Sequence, residues 1–381
     1  MQILIGADLV PTSSNFELFK SGDANSLVGE NLLECLKKAD YRIFNLEVPL
    51  CDTLSPIDKC GPALIAPTHT VAGYKAMGVD MLTLANNHIL DQGQAGLEST
   101  QRVLDDTGIS YIGVGKLENA SRARFVEIEG KKKIGIYACA EHEFTIATEE
   151  TSGANPFDPF ESLDHISEMK KSCDYAIVLY HGGKEYYRYP SPYLQKSCRK
   201  MVEKGADLVV CQHSHCVGCE EKYQGGTIVY GQGNFLFDYS ENECWKTSVL
   251  VSVNGGGEVA YIPLKKQGNA VRLAEGDDAA EILEGFKKRS EEIMQDGFVQ
   301  SNYSTFADAM IERYLFAFSG IKRSFIYKVL DKLSGHRMTG YILRKKYTKE
   351  KRLVMQNFIE CEAHRELIIQ GLTSSGELGC V

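Results

Sequence analysis

The feature that most constrains the fold of this chain is a set of short apolar runs that each stop abruptly in polar residues. The clearest example spans Val79 to Gly93, where an apolar run over Met81–Ala85 ends in Asn86-Asn87-His88. A buried strand of an open α/β fold delivers polar side chains in this way to the carboxyl edge of its sheet, where such folds place their sites. The same pattern taken alone also fits a strand-to-helix turn, because Asn is a good helix N-cap.

The pattern recurs along the first two thirds of the chain. Other strand-like runs that end in polar residues are Gln2–Ile5, Tyr41–Phe44, Tyr175–Tyr180, Ala206–Cys211 and Thr227–Tyr230. Their polar ends, with that of the first example, hold Asp8, Asn45, Glu47, Asn87, His88, His181, His213, His215 and Asn234. Helical segments are expected between these strands, over Leu97–Asp105, Phe160–Lys171 and Ser191–Lys204. The alternation of strands and helices predicts an α/β fold.

The last hundred residues have a different pattern. Helical spacing of apolar residues appears over Ala279–Ile293, Phe306–Phe318, Phe325–Leu333 and Leu353–Leu372. A chain of 381 residues is longer than an average domain. We therefore expect one large α/β domain over residues 1–265 and a helical C-terminal region over residues 275–375.

Composition and the lengths of the apolar runs predict where in the cell the protein is located. A net charge of -9 argues against general nucleic-acid binding. The N-terminal sequence has no basic segment typical of a signal peptide, and no apolar run reaches the roughly 20 residues of a membrane span. The 12 cysteines show no framework spacing, which fits reduced thiols better than disulfides. We expect a soluble cytoplasmic protein.

The polar strand ends together resemble an inventory of metal ligands. Carboxylates, an amide oxygen and imidazoles favour Mn, Fe or Zn over Ca, and over the all-oxygen sites typical of Mg. In an extended segment His213 and His215 would point to the same side, about 6 to 7 Å apart, and could serve one ion or two. Glu47 has two oxygens and could bridge two ions. His88 stands next to a candidate ligand and is suited to protonating a leaving group.

These residues carry a resemblance to a known family. The motifs are Asp8, NLE (45–47), ANNHxLDxG (85–93), HGGKEY (181–186), QHSH (212–215) and GQGNFLFD (231–238). Over roughly residues 2–265 the chain resembles the capsule-synthesis CapA family, also called poly-γ-glutamate synthesis proteins. That family is similar in fold to the calcineurin-like metallophosphoesterases, which implies a four-layer α/β/β/α sandwich, here with a C-terminal helical appendage.

The resemblance also implies roles for individual residues. It makes Asp8, Glu47 and His215 ligands of one metal, and Glu47, Asn87, His181 and His213 ligands of a second. His88 takes the general-acid position, and Asp91 orients it or contacts substrate. The chain departs from the superfamily in two places, because Val10 stands where a His is usual and Glu47 where an Asp is usual. These departures predict a first metal site that is weaker or empty.

Several alternatives remain open from the sequence. His213, His215, Cys216 and Cys219 could instead form a structural zinc site, since Cys-x-x-Cys spacing suits zinc. The Gly231–Asn234 turn could cradle a phosphate, or its glycines could let the backbone pass close to the metals. Three further residues are candidates to contact substrate or to orient a metal ligand, and they are Asn45, Glu185 and Asn234. Glu185 fits exposed loop surface equally well.

A basic stretch lies in the helical region. Lys322–Arg352 holds eleven Lys or Arg and two acidic residues, Asp331 and Glu350. Such a stretch fits a solvated helical face, or a surface that docks an anionic polymer, phospholipid head groups or an acidic partner.

Three classes of function follow. The first is a metal-dependent hydrolase that cleaves an amide or ester of a γ-glutamyl or related cell-surface polymer, as the resemblance implies. The second is a metallophosphoesterase that acts on a small phosphoester. The third is a non-catalytic component of polymer biosynthesis, which the combination of a full ligand set with His88 disfavours. Metal ions activate water against carbonyl and phosphoryl centres alike, so the sequence does not choose the scissile bond.

Overall fold

The computed structural model describes residues 1–128, 132–238, 241–321, 325–335 and 337–374. Its strands are β1 Gln2–Leu9, β2 Tyr41–Leu46, β3 Met81–Thr83, β4 Ser110–Ile112, β5 Val114–Gly115, β6 Arg124–Ile128, β7 Lys132–Ala140, β8 Gly153–Ala154, β9 Tyr175–His181, β10 Leu208–Gln212, β11 Glu220–Tyr223, β12 Gly226–Tyr230, β13 Asn234–Leu236, β14 Thr247–Asn254, β15 Val259–Gln267 and β16 Ala270–Leu273. Its helices are α1 Phe16–Ser21, α2 Ala24–Val28, α3 Glu30–Lys38, α4 Val71–Ala76, α5 Gly93–Thr107, α6 Leu117–Ala120, α7 Glu161–Lys170, α8 Pro192–Glu203, α9 Gly276–Glu292, α10 Phe298–Phe318, α11 Phe325–Leu333, α12 Arg337–Lys346, α13 Lys349–Glu360 and α14 Glu362–Ser374.

Two large sheets organise the α/β part of the chain. The first has the strand order β16-β15-β14-β1-β2-β3-β4, with β13 also paired to β1, and the second has the order β11-β12-β10-β9-β7-β6. Strands β1 to β4 run parallel, as do β7, β9, β10 and β12. In each sheet the carboxyl ends of these parallel strands therefore meet at one edge.

The side chains of the second sheet alternate between two apolar cores. In β9, Ile177 and Leu179 belong to the core shared with the first sheet, whereas Val178 and Tyr180 belong to a core shared with α7 and α8. Because both faces are covered, the strand reads as a continuous apolar run. Helices α2, α3 and α5 pack against the outer strands of the first sheet. The layers are therefore helices, sheet, sheet and helices, which confirms the predicted four-layer α/β/β/α fold.

Three strands at the end of the α/β part were not predicted. β14 continues the first sheet antiparallel to β1, and β15 and β16 extend it outward, also antiparallel. They place residues up to Leu273 inside the first sheet. Helix α9 follows directly and contacts β15 and β11.

The chain divides into two compact units, Met1–Tyr303 and Ser304–Val381. The predicted division into an α/β domain over residues 1–265 and a helical C-terminal region over residues 275–375 stays a prediction. Within the second unit, Leu315, Phe316, Leu343 and Tyr347 form a small apolar core. The segment with predicted helical spacing over 353–372 forms two helices, because Cys361 takes an extended conformation that separates α13 from α14. Helix α12 was not predicted.

The basic stretch at 322–352 lies in the second unit, and its first residues, Lys322 and Arg323, lie outside the described residues. Within the described part, α11 and α12 contribute the exposed cations Lys332, Arg337, Arg344 and Lys345. Asp331 is buried and accepts a hydrogen bond from the Thr339 backbone N–H at 2.9 Å. In the described part of the chain, none of the helices is both long and apolar enough to cross a membrane.

Candidate metal centre

The carboxyl ends of the two sheets bring the predicted ligands together. In the first sheet Asp8 of β1 lies in register with Asn45 of β2 and with Asn234 of β13. In the second sheet His181 ends β9 in register with Gln212 of β10, and the two histidines of the QHSH motif follow. We call Asp8, Glu47, Asn87, His181, His213 and His215 the ligand cluster. All six side chains are buried.

His181 lies at the centre of one half of the ligand cluster. Its Nε2 atom is 3.0 Å from Asn87 Oδ1, 3.1 Å from His213 Nδ1 and 3.3 Å from Glu47 Oε1. Neighbouring ligand atoms bound to one ion at about 2.1 Å lie roughly 3 Å apart, so these separations match a shared ion. Glu47, His181 and His213 form one of two groups in the described residues that could hold a metal ion.

The second group is Asp8, Glu47 and His215, whose ligand atoms all lie within 4.8 Å of one another. Asp8 Oδ2 lies 3.4 Å from His215 Nδ1. Glu47 belongs to both groups, which is the arrangement that a bridging carboxylate requires. Cys216 and Cys219 belong to neither group in the described residues, so the structure does not assemble the alternative zinc site.

Two asparagines orient members of the ligand cluster. Asn45 Nδ2 donates to Asp8 Oδ1 at 2.8 Å and lies 3.2 Å from His181 Nδ1. Asn234 Oδ1 lies 2.8 Å from His215 Nδ1 and so accepts a proton held there. Partners of this kind fix the orientation of ligands in metal sites, so these contacts suit the orienting role considered for both residues.

The hydrogen bonding of the two carboxylates in the ligand cluster shows whether the cluster fits a metal ion. Asp8 Oδ2 and both Glu47 oxygens are fully buried and have no hydrogen-bond partner among the described residues. Buried charged oxygens are normally hydrogen-bonded or bound to a metal. The ion pairs to histidine, at 3.3 and 3.4 Å, are too poorly aligned to count as hydrogen bonds. These residues therefore fit one or two metal ions.

Burial and neighbouring charges shift the pKa values of residues in the ligand cluster. Burial acts to raise the pKa of Glu47, but the positive charges of His181, His215 and His88 outweigh it and hold that pKa below its usual value. Burial and the charge of His181 lower the pKa of His213. For His215, burial is outweighed by Asp8 and Glu47, which raise its pKa to about 9. The Glu47 carboxylate therefore remains ionised at neutral pH.

The backbone of the QHSH motif differs from the expected extended segment. His213 and His215 both have positive φ angles, of 83° and 55°, so the prediction of an extended conformation is wrong. Their ring centroids are 6.1 Å apart. Non-glycine residues in this region are strained, and such strain concentrates at functional sites. Gly231, with φ of 108°, leaves no room for a Cβ, which would lie 2.6 Å from Ser214 Oγ.

His88 is held beside the ligand cluster by Asp91. His88 Nδ1 lies 2.6 Å from Asp91 Oδ2, and a carboxylate can only accept, so Nδ1 carries the proton. Asp91 also accepts from Lys59 Nζ at 2.6 Å and from the Leu64 backbone N–H at 2.6 Å. Lys59 Nζ donates to the Asn87 carbonyl oxygen as well, at 3.1 Å. Asp91 therefore connects the loop before α4 to His88.

Sequence reasoning missed Lys59 and Glu143. Glu143 Oε2 accepts from Asn87 Nδ2 at 3.3 Å, and its other oxygen lies 3.9 Å from His213 Nε2. Glu143 follows the carboxyl end of β7. The other candidates were identified as polar residues that follow strand ends, and the same criterion identifies Glu143. Lys59 has no such signal. The predicted residue Glu185 pairs with Lys184 at 3.5 Å and is 37% exposed, and no described contact joins it to the ligand cluster.

Comparison with known proteins places these residues in a wider group. The family model "Bacterial capsule synthesis protein PGA_cap" matches residues 7–239. The capsule biosynthesis protein CapA of Bacillus anthracis is 31% identical over 245 residues, covering 61% of this chain and 59% of that protein. The PGA biosynthesis protein CapA of Bacillus subtilis (strain 168) is 32% identical over 207 residues, covering 51% and 53%. The chain thus spans slightly more than half the length of these relatives.

A solved structure was also matched. It is that of a hypothetical protein from Thermus thermophilus, which superposes with a TM-score of 0.44 at 14% identity and covers 69% of this chain and 98% of that one.

Proposed function

The chain belongs to the bacterial capsule synthesis protein family PGA_cap, and we propose that it is a metal-dependent hydrolase in the biosynthesis or turnover of a cell-surface polymer such as poly-γ-glutamate. The observation that carries the proposal is the set of buried carboxylate oxygens of Asp8 and Glu47, which have no hydrogen-bond partner in the described part of the chain. They face three histidines from the other sheet.

The donor set indicates which ions would be held. Asp8, Glu47 and His215 would hold one ion, and Glu47, Asn87, His181 and His213 would hold another. Mixed oxygen and nitrogen donors favour Mn, Fe or Zn. Bound there, such ions would polarise a carbonyl or phosphoryl oxygen and lower the pKa of a water molecule.

The proposed proton donor is His88. In the doubly protonated ring Asp91 accepts the Nδ1–H, and the second proton, on Nε2, is the one given to a leaving group, which leaves the neutral Nδ1–H imidazole. Side-chain exposure of 12% for His88 allows contact with a bound substrate, whereas Asp91 is fully buried. A module that only bound polymer would have no need for a fixed proton donor beside six ligand side chains.

The proposed substrate is an amide or ester in an anionic polymer with γ-glutamyl linkages. Relatives in two Bacillus species are named for capsule and PGA biosynthesis, which supports a substrate of this class. A phosphoester is the alternative, since the same ligands and the same proton donor would act on a phosphoryl centre.

Parallel assays test the proposal. The full chain, loaded with Mn²⁺ or Zn²⁺, is incubated with a γ-glutamyl peptide and with an aryl phosphodiester. We expect release of glutamate from the peptide, its loss after chelation, and its absence in Glu47→Gln. Turnover of the phosphodiester alone would replace the proposal with a phosphoesterase. Failure of the metal-loaded protein to turn over either substrate would contradict a hydrolase and favour a non-catalytic role.

A further inference from the structure

A cleft lined in part by positively charged side chains lies next to the candidate metal centre. It is a cleft of about 430 Å³ whose lining includes Arg188, Lys246, Lys265 and Arg289, and we call it the arginine cleft. Val217, two residues after His215, also lines it. The ring of Trp245, which precedes Lys246, lies with its centroid 5.3 Å from that of His215. The arginine cleft therefore shares the His215–Val217 segment with the ligand cluster.

Both arginines are anchored to the backbone that follows His215. Arg188 Nη1 donates to the Val217 carbonyl oxygen at 3.1 Å, and Arg289 Nε donates to the Gly218 carbonyl oxygen at 2.7 Å. Among the described residues, the terminal nitrogens of Arg289 have no hydrogen-bond acceptor. A fixed guanidinium with two free terminal nitrogens is suited to bidentate binding of a carboxylate.

The acidic residues around the cleft leave this guanidinium unneutralised. Glu243 pairs with Arg188 at 3.1 Å but is 81% exposed, and Asp278 pairs with Lys265. Glu281 is exposed to solvent. Burial and the nearby charge of Arg188 both lower the pKa of Arg289, which remains protonated at neutral pH. A bound anion would relieve the repulsion between the two arginines.

A glycine keeps the open end of Arg289 accessible. Gly285 lies inside α9 and lines the arginine cleft. A Cβ atom at this position would lie 3.2 Å from Arg289 Nη1. Glycine destabilises the interior of a helix relative to alanine, so local stability does not explain its presence here. Its lack of a side chain leaves room beside the donors of Arg289.

We propose that the arginine cleft binds a free carboxylate of the polymer chain whose scissile bond lies at the ligand cluster, with Arg289 as the bidentate partner. A γ-linked glutamyl chain carries one free α-carboxylate per residue, so a chain that extends past His215 presents one to the cleft. The ligand's identity rests on the proposed function. The site itself rests on the anchored arginines and on Gly285.

Calorimetric titration of the full chain with a γ-linked glutamate trimer tests this site, with the chelator-treated protein so that hydrolysis plays no part. Arg289→Gln removes a charge-assisted hydrogen-bonded pair, so its affinity for the trimer should be lower by about tenfold or more. Lys287→Gln is the matched control, because Lys287 lies on α9 at 78% exposure and its charge change is the same. The trimer with amidated α-carboxylates should bind wild type as weakly as the trimer binds Arg289→Gln.

A second variant guards against loss of folding. Gly285→Ala should preserve or raise the melting temperature, because alanine favours the helix, yet weaken trimer binding by crowding Arg289. Equal binding of the trimer to wild type, Arg289→Gln and Gly285→Ala would overturn the proposal, as would no binding to wild type. Tighter binding of inorganic phosphate than of the trimer at the same cleft would also overturn it. Failure of the hydrolase proposal would show instead in the turnover assays.

Discussion

The Lys59 ammonium group lies 2.6 Å from the Asp91 carboxylate, and their side chains are 3% and 0% exposed. Asp91 is thereby shared between a cation from the loop before α4 and the imidazole of His88. A buried carboxylate that accepts from Lys59, His88 and a backbone N–H has little freedom to rotate. Lys59, which lies outside every motif of the family resemblance, therefore fixes Asp91 and, through Asp91, the proposed proton donor His88.

The Lys59–Asp91 pair makes the first prediction. Removing one partner of a buried ion pair leaves the other charge uncompensated, so Lys59→Gln should lower the free energy of unfolding by about 3 kcal/mol. Chemical denaturation measures this loss. Lys170→Gln is the matched control, because its pair with Asp207 is about one-third exposed and should contribute less than about 1 kcal/mol. Equal losses in the two variants would show that Lys59 does not compensate Asp91.

The position of the ligand cluster could be predicted because it follows from a rule about parallel strands. Asp8, Glu47 and His181 come from strands that are far apart in sequence, yet each marks the carboxyl end of its strand. Parallel strands present those ends at one edge, so no knowledge of loop structure was required. Glu143 follows the same rule after β7 and could have been identified in the same way.

Other parts of the site depend on contacts that sequence patterns do not encode. Lys59 reaches Asp91 across 32 positions, and its loop has no periodic pattern. The positive φ angles at His213 and His215 have only a weak local signal, because non-glycine residues rarely adopt that conformation even though histidine is enriched in it. Gly231 leaves the space that Ser214, between the two histidines, occupies.

The helical region shows a similar limit. The break between α13 and α14 falls at Cys361, where neither glycine nor proline marks the end of a helix. Helix α12 contains Gly340 and many cations, and both features weaken an apolar helical pattern.

Metal binding makes the second prediction. A ligand that binds only the folded state stabilises it, by about 2.7 kcal/mol when its free concentration is a hundred times the dissociation constant. Chelation should therefore lower the melting temperature of the wild-type protein by several degrees. Glu47→Ala and His213→Ala should bind less metal by elemental analysis and should lose this response. Wild-type stoichiometry in both variants would show that the ligand cluster is assigned incorrectly.

The third prediction is that the basic stretch binds an anionic membrane surface. Exposed cations near an anionic membrane contribute about 1 kcal/mol each. The triple variant Lys332→Gln, Arg344→Gln, Lys345→Gln should therefore bind phosphatidylglycerol vesicles roughly a hundredfold more weakly in sedimentation assays. Its control is Lys171→Gln, Lys287→Gln, Lys288→Gln, three exposed cations of the first unit. Equal binding by both triple variants would exclude this surface as the docking site.

The last prediction separates binding from chemistry at two adjacent residues. Asn87 offers its amide oxygen 3.0 Å from His181 Nε2, so Asn87→Ala should reduce metal content and, with it, activity. His88 directs Nδ1 to Asp91 and is not a ligand in this assignment, so His88→Ala should retain its metal. Loss of proton donation should slow turnover by a factor of about 10²–10⁴, and less for substrates with an activated leaving group. Elemental analysis paired with rates on activated and unactivated substrates measures both effects. If His88→Ala lost its metal, or slowed both substrates equally, His88 would not be the proton donor.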